Sequence, residues 1–352
     1  GEDDLAPPFP VRGERAALVG RLQRAVQAVH DDSGQPLKPL RSTIDLCHTG
    51  QKGENVPHRF LCQNTANGCR HIVLDPLLRP PEKKVEKFDP SKVKYLTEWP
   101  KPMSKDQLAT DIERVIKAAI PEMAASGKEG VVAEGAAAVI PVLDRYGREK
   151  DEDAAARLRA ILLEITVADQ MRLLAKEFES KDVRHRAFAL WRCAAFPDKE
   201  IVAQAEAAWT KVAKQGDKAD SDERYSAALC ATASGSLAPF DVIFEIAQKS
   251  WAKKGLELRV ALESVRGAEA TKRLVAKLGG ERKAKIAALK MLAGCGDKTV
   301  LPTLKPLLDE SDNEIRVVAI NALRGIVDGD EPLEQLSSFE AIEMAKKWKT
   351  RI

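Results

Sequence analysis

The stretch Thr299–Val327, TVLPTLKPLLDESDNEIRVVAINALRGIV, decides how the chain is read. Leu301, Leu304, Leu307 and Leu308 recur at helical spacing, and Pro302 stands early, where a helix has no use for its missing amide donor. Asp309–Asn313 reads as a turn. Glu314–Leu323 then continues as a second helix, with small residues and Leu three or four apart. Two short helices in this order have apolar surface on both flanks and cannot bury it alone. Neighbouring units must therefore cover them.

Working outward, such neighbours are present. In Ala268–Gly294, Leu274 and Leu278 precede Lys285, Ala288 and Leu292, which stand 31 residues before Arg316, Ala319 and Leu323. In Asp182–Trp191, Arg184 and Ala187 occupy the same two places as Arg316 and Ala319. The pairs near 198–233 and 238–266 fit the length and match the motif loosely. With a Pro in the first helix, an Asp in the turn and an Arg entering the second, the pattern resembles the HEAT repeat, in its short bacterial form related to phycobilin-lyase repeats. The resemblance covers about residues 180–328, is weaker over 104–179 and does not reach 1–103. It implies an all-α fold, a right-handed α-solenoid of five to six helix pairs behind a small irregular N-terminal segment. It also implies a non-catalytic scaffold that binds a protein along the concave face of the second helices. Arg184, Arg259, Lys285 and Arg316 are candidates for that face.

Composition agrees with packed helices. The 352 residues are 44% hydrophobic but only 5% aromatic, and Ala and Leu recur, which suits helices at close approach. A net charge of +3 with 31% charged residues points by itself to neither nucleic acid nor membrane. No apolar run is long enough to span a bilayer. Ser104, with Gln107 three residues on, reads as a capping box that opens a helix through Ile112, Val115, Ile116 and Ala119. About twelve helices follow to the C-terminus, with breaks expected at Ser126-Gly127, Gly147, Ser180-Lys181, Phe196-Pro197, Gly216-Asp217 and Gly235.

Residues 1–103 have another texture and read as a separate segment from 104–352. A helix is expected over Arg12–His30, followed by short strands or fixed loops at Thr43–Leu46, Arg59–Leu61 and His71–Leu74, then a connector broken by prolines. Gly1, Glu2-Asp3-Asp4 and Pro7-Pro8 read as the start of a trimmed product, which favours an exported or periplasmic protein over a cytoplasmic one; a domain edge is the other reading. Cys47, Cys62, Cys69 and His71 supply enough ligands for a zinc ion, though no CxxC knuckle is present. Cys62 and Cys69 are equally candidates for a disulfide, or are ordinary thiols. Leu46-Cys47-His48-Thr49-Gly50 resembles the end of a c-type haem site, but Ile44 stands where the first cysteine belongs. Cys193, Cys230 and Cys295 lie on apolar helix stripes and read as packing residues.

Charge is unevenly spread. Lys249–Lys290 carries twelve cations against four carboxylates, a net of +8, and Asp309–Glu343 carries ten carboxylates against two cations, a net of −8. The first band, with Arg282, Lys283 and Lys285, suggests a surface for phosphates. Such a surface resembles that of the HEAT-like DNA glycosylases, where Trp191, Trp209 and Trp251 would serve as stacking platforms. The alternative, which the sequence favours, is that adjacent units of opposite sign satisfy one another and that the tryptophans are core. GxSxG, GxxxxGK[ST], HExxH and GxGxxG are all missing, and His185, between Arg184 and Arg186, is expected at the surface. The sequence reading is therefore a monomeric binding protein, neither enzyme nor cofactor carrier, with an unknown protein partner. Nucleic-acid binding and a zinc-holding N-terminal module are the alternatives.

Overall fold

The structure, a computed structural model, describes the backbone of residues 60–65 and 68–73, and residues 88–118, 120–333 and 335–352. The chain divides into two units, Gly1–Lys87 and Phe88–Ile352. In the first, β1 (Phe60–Thr65) and β2 (Gly68–Val73) pair antiparallel, Phe60 opposite Val73 and Thr65 opposite Gly68. The apolar runs at Leu61 and Ile72 are thus strands. The expected Arg12–His30 helix, the Thr43–Leu46 run and Cys47 lie outside the described residues.

The second unit is helical, with no strand among its described residues and fourteen α-helices joined by short turns and 3-10 segments. They are α1 (Lys105–Lys117), α2 (Pro121–Ala133), α3 (Val139–Arg148), α4 (Glu152–Ile165), α5 (Met171–Leu174), α6 (Val183–Ala194) and α7 (Val202–Ala213). After them come α8 (Ser221–Ala233), α9 (Phe240–Glu263), α10 (Ala268–Leu278), α11 (Arg282–Cys295), α12 (Leu301–Leu304), α13 (Asn313–Leu323) and α14 (Ser338–Arg351).

Local chemistry explains most boundaries. The Ser104 hydroxyl accepts the Gln107 amide and opens α1, but the Gln107 side chain donates to Asp111, so only half of the capping box forms. The break expected at Ser126-Gly127 does not occur, and α2 runs through it. A Cβ on Gly127 would stand 2.7 Å from the Asp111 carbonyl oxygen, so this glycine marks where α2 crosses α1. The Thr299–Val327 pair folds as read. Helix α12 continues as a 3-10 segment to Asp309, and the Asp312 carboxylate accepts the Glu314 and Ile315 amides to open α13.

Helix α6 packs on α8, α8 on α9, α9 on α11 and α11 on α13. Helix α9 is two helical halves in one run, because Ser250 leaves helical geometry (φ −139°, ψ 21°) and kinks the chain without a loop. Its first half meets α10, with Arg273 over Phe240 and Lys277 over Phe244. Its second half meets α11, where Gly294 lies against Leu262. Leu158, Leu162, Leu258, Leu274, Leu289 and Leu323 are fully buried in one continuous core. Burying apolar area at ~25 cal/mol per Å² is the dominant stabilising term. Cys193, Cys230 and Cys295 are buried free thiols, and burial pushes Cys230 and Cys295 up to about 12.

His185 overturns its expectation. It is 1% exposed, because it shares a helix stripe with Phe188 and Ala189 and turns inward. Its Nε2 lies 3.1 Å from Glu177 Oε2 and its Nδ1 3.5 Å from Asp144 Oδ1. At the C-terminal end, α14 opens on a complete Ser337/Glu340 capping box and packs on α13 and the segment Lys305–Asp309. Lys349 pairs with Asp309 and Arg351 with Asp328. Among the described residues no helix is long and apolar enough to cross a membrane.

Candidate functional site

Five helices line a cavity of about 520 Å³, α3 through Tyr146 and four others through one face each. Positions three, four or seven apart share a helix face, and the sequence puts polar and aromatic groups there. Helix α4 gives Glu152, Ala156 and Arg159, α6 gives Arg184, Ala187 and Trp191, α8 gives Asp222 and Tyr225, and α9 gives Lys254 and Glu257. Tyr146 and Phe188 form part of the wall, their rings 5.9 Å apart edge to face. Ala156 and Ala187 keep the space open. The volume is that of an ordinary ligand site.

Glu257 organises one end. Its Oε1 accepts the Trp191 indole N–H at 3.1 Å, and its Oε2 accepts the Tyr225 hydroxyl. Lys254 Nζ lies 3.9 Å from the same carboxylate and 4.1 Å from the centre of the Tyr225 ring. Burial, then the hydrogen bond to Glu257 and its charge, hold the Tyr225 phenol protonated far above its ordinary range. At the other end the Arg184 guanidinium lies 5.6 Å from the Tyr146 ring centre and donates to the Glu149 carbonyl and the Glu152 carboxylate. Burial raises Tyr146 too, against the opposing charges of Arg159 and Arg184. Between the ends, Arg159 stacks 4.9 Å above Trp191.

Asp220 spends its side chain on the Asp222 and Glu223 amides as the cap of α8. Arg159 and Asp222 have no ion-pair partner among the described residues. To an incoming molecule the site therefore offers flat aromatic surface, a fixed hub at Glu257 and two uncommitted charges.

Of the residues the sequence singled out, Arg184 and Trp191 enter this cavity. Arg259 pairs with Glu331 at 3.0 Å, and Lys285 with Glu310 at 3.1 Å. Arg282 pairs with Asp312 at 2.6 Å and Glu314 at 2.7 Å. Arg316 donates to Asn313 Oδ1 and to the Glu310 carbonyl, closing its own turn. Lys283 is exposed with no ion pair among the described residues. The basic band thus meets the acidic stretch at three of its cations. Trp209 is core, Trp251 is half-buried and packed against the core, and Trp191 lines the cavity.

Arg159, Tyr225 and Glu257 escaped the sequence reading. Trp191 and Glu257 are 66 positions apart, and no local pattern links them. The polar i, i+3 pair Lys254/Glu257 on an amphipathic helix was the one available signal, and it is also what any solvated face displays. Among residues whose side chains are described, no group of three or more His, Cys, Asp and Glu stands placed to hold a metal ion. Compared with protein families, with curated proteins and with solved structures, the chain finds no match in any of the three.

Proposed function

We propose that the helices of the second unit form a right-handed α-solenoid of HEAT-like pairs and that the chain is a non-catalytic scaffold. Its second helices line the concave side and bind a protein partner there. The observation that carries this is the cavity itself. Successive second helices α4, α6, α8 and α9 each give side chains to it, as a stacked array does when one face is kept for a ligand. Half-buried aromatics edged with Arg are also what protein-binding hot spots use. Nucleic-acid binding by the basic band has less support. Arg259, Arg282 and Lys285 are already neutralised within the chain, and Trp209 is out of reach of a base.

Photo-crosslinking in the source cells separates the two readings. A crosslinker at Ala187 is expected to capture a protein in a nuclease-resistant product, lost when Trp191→Ala and Arg159→Glu are added. The same crosslinker at Lys211, on the exposed face of α7, is expected to capture nothing specific. Equal capture at both positions sinks the proposal, and so does a nucleic-acid adduct. Retention on DNA that weakens steeply with salt and disappears on charge reversal of Arg282, Lys283 and Lys285 would favour the alternative.

A further inference from the structure

The cysteines and histidine of the N-terminal unit gain a spatial relation from the hairpin. Cys62 lies opposite His71, and Asn64 lies opposite Cys69. Side chains alternate along a strand, so positions 62 and 64 share a face, as do 69 and 71. Opposed positions belong to the same face of the pair. The register therefore puts Cys62, Cys69 and His71 at three adjacent positions of one face. Only two residues, Ala66 and Asn67, separate the strands, and so short a loop leaves the pairing little room to slip.

This arrangement discriminates among the three readings of the cysteines. Cys62 and Cys69 are diagonal neighbours, and diagonal positions stand about 7–8 Å apart at Cα. A disulfide spans at most about 7 Å and is commonest at about 5.5–6 Å. A metal ion reaches further. It puts two bonds of about 2.3 Å between the sulfurs, where a disulfide has one of about 2 Å. Opposed positions such as 62 and 71 have Cβ atoms about 4.5–5.5 Å apart, which suits two ligands of one ion. Two thiolates and an imidazole are a zinc-class donor set.

We propose that the hairpin binds a divalent metal ion of the zinc class on the face where the register sets positions Cys62, Cys69 and His71 side by side. Binding releases the two thiol protons, so affinity falls as pH drops. A two-stranded hairpin alone is marginal in water, and the ion would supply the cross-link it needs.

The test uses the full chain, reduced and purified without chelator. Added zinc is expected to bind stoichiometrically, and cobalt in its place to give the visible bands of tetrahedral thiolate coordination. Cys62→Ser, Cys69→Ser and His71→Ala are each expected to abolish stoichiometric binding while Cys193→Ser does not. Far-UV circular dichroism of each variant is expected to remain that of the parent, because the described helices all belong to the other unit. A second measurement needs no variant: zinc is expected to slow alkylation of Cys62 and Cys69 at least tenfold in the parent chain, mapped by peptide mass. Stoichiometric zinc on the Cys62→Ser/Cys69→Ser double variant overturns the proposal. A Cys62–Cys69 disulfide in the isolated protein, with no zinc uptake after reduction, overturns it equally.

Discussion

Two ties between neighbouring second helices use the same chemistry in different surroundings. Arg186 of α6 meets Glu223 of α8 at 2.5 Å, their side chains 11% and 4% exposed. Arg282 of α11 meets Asp312 and Glu314 at the start of α13, with side chains 55%, 28% and 47% exposed. In water a charged pair gains little, because solvent and salt screen it. Out of water the two charges cost much to bury, so neither can be lost without exposing the cost of the other. Arg186 is held further by the Ser180 and Lys181 carbonyls. The outer tie orients its turn; the inner one is a condition of packing.

The largest effect is expected where that contrast is broken from inside. Glu223→Ala strands Arg186 and should cost about 3–5 kcal/mol in urea unfolding of the full chain. The double change Arg186→Met/Glu223→Leu is expected to recover much of the loss, since removing both charges also removes the penalty. A loss of under about 1 kcal/mol in the single variant would put this pair in the same class as the surface one.

Next comes a contact that uses no charge. Gly127→Ala forces a methyl to within 2.7 Å of the Asp111 carbonyl and is expected to cost about 1–3 kcal/mol by thermal unfolding. An unchanged transition would mean that α1 and α2 can separate freely.

Acid titration sharpens the comparison at a third pair. Burial raises Asp198, but hydrogen bonds from Arg172 and the Glu200 amide, with the Arg172 charge, overcome it and leave the carboxyl below its usual range. A depressed carboxylate contributes stability above its unfolded value, near about 3.9, and loses it as pH falls through the folded one. Asp198→Asn is therefore expected to flatten the fall in stability below about pH 4. Asp312, lowered mainly by the hydrogen bond from Arg282 but exposed, is expected to flatten it less when changed to Asn. Equal slopes would erase the distinction. The smallest effect is assigned to Arg282→Ala, whose melting temperature should match the parent at physiological salt.

The fold was legible where one helix pair repeats itself. Pro302, the turn at Asp309–Asn313 and the Arg316–Leu323 helix stand in the structure at the residues that the pattern marks. It was illegible where a residue serves its neighbour in space rather than its own helix. Gly127 looks like a breaker until α1 crosses it, and His185 looks exposed until α3 and the Glu177 segment close over it. The candidate site was read in part for the same reason. Arg184 carries the repeat motif and was named, whereas Glu257 acquires its role only when Trp191 and Tyr225 arrive from other helices. Opposite charge in adjacent units was visible as composition, and the particular partners of Arg259, Arg282 and Lys285 were not.

The bend at Ser250 has a mechanical corollary. Other helices are joined by several residues that can absorb a change in length, but here a single non-helical residue carries the kink. An inserted residue just after it would rotate the following side chains by about 100° around their axis, swinging Leu258 and Leu262 away from the positions they fill. Over Phe240–Glu263 the count of residues is thus as constrained as their kind. Tolerated insertions belong instead in the connections at Gly216 and Gly235, whose positive φ already marks a loop.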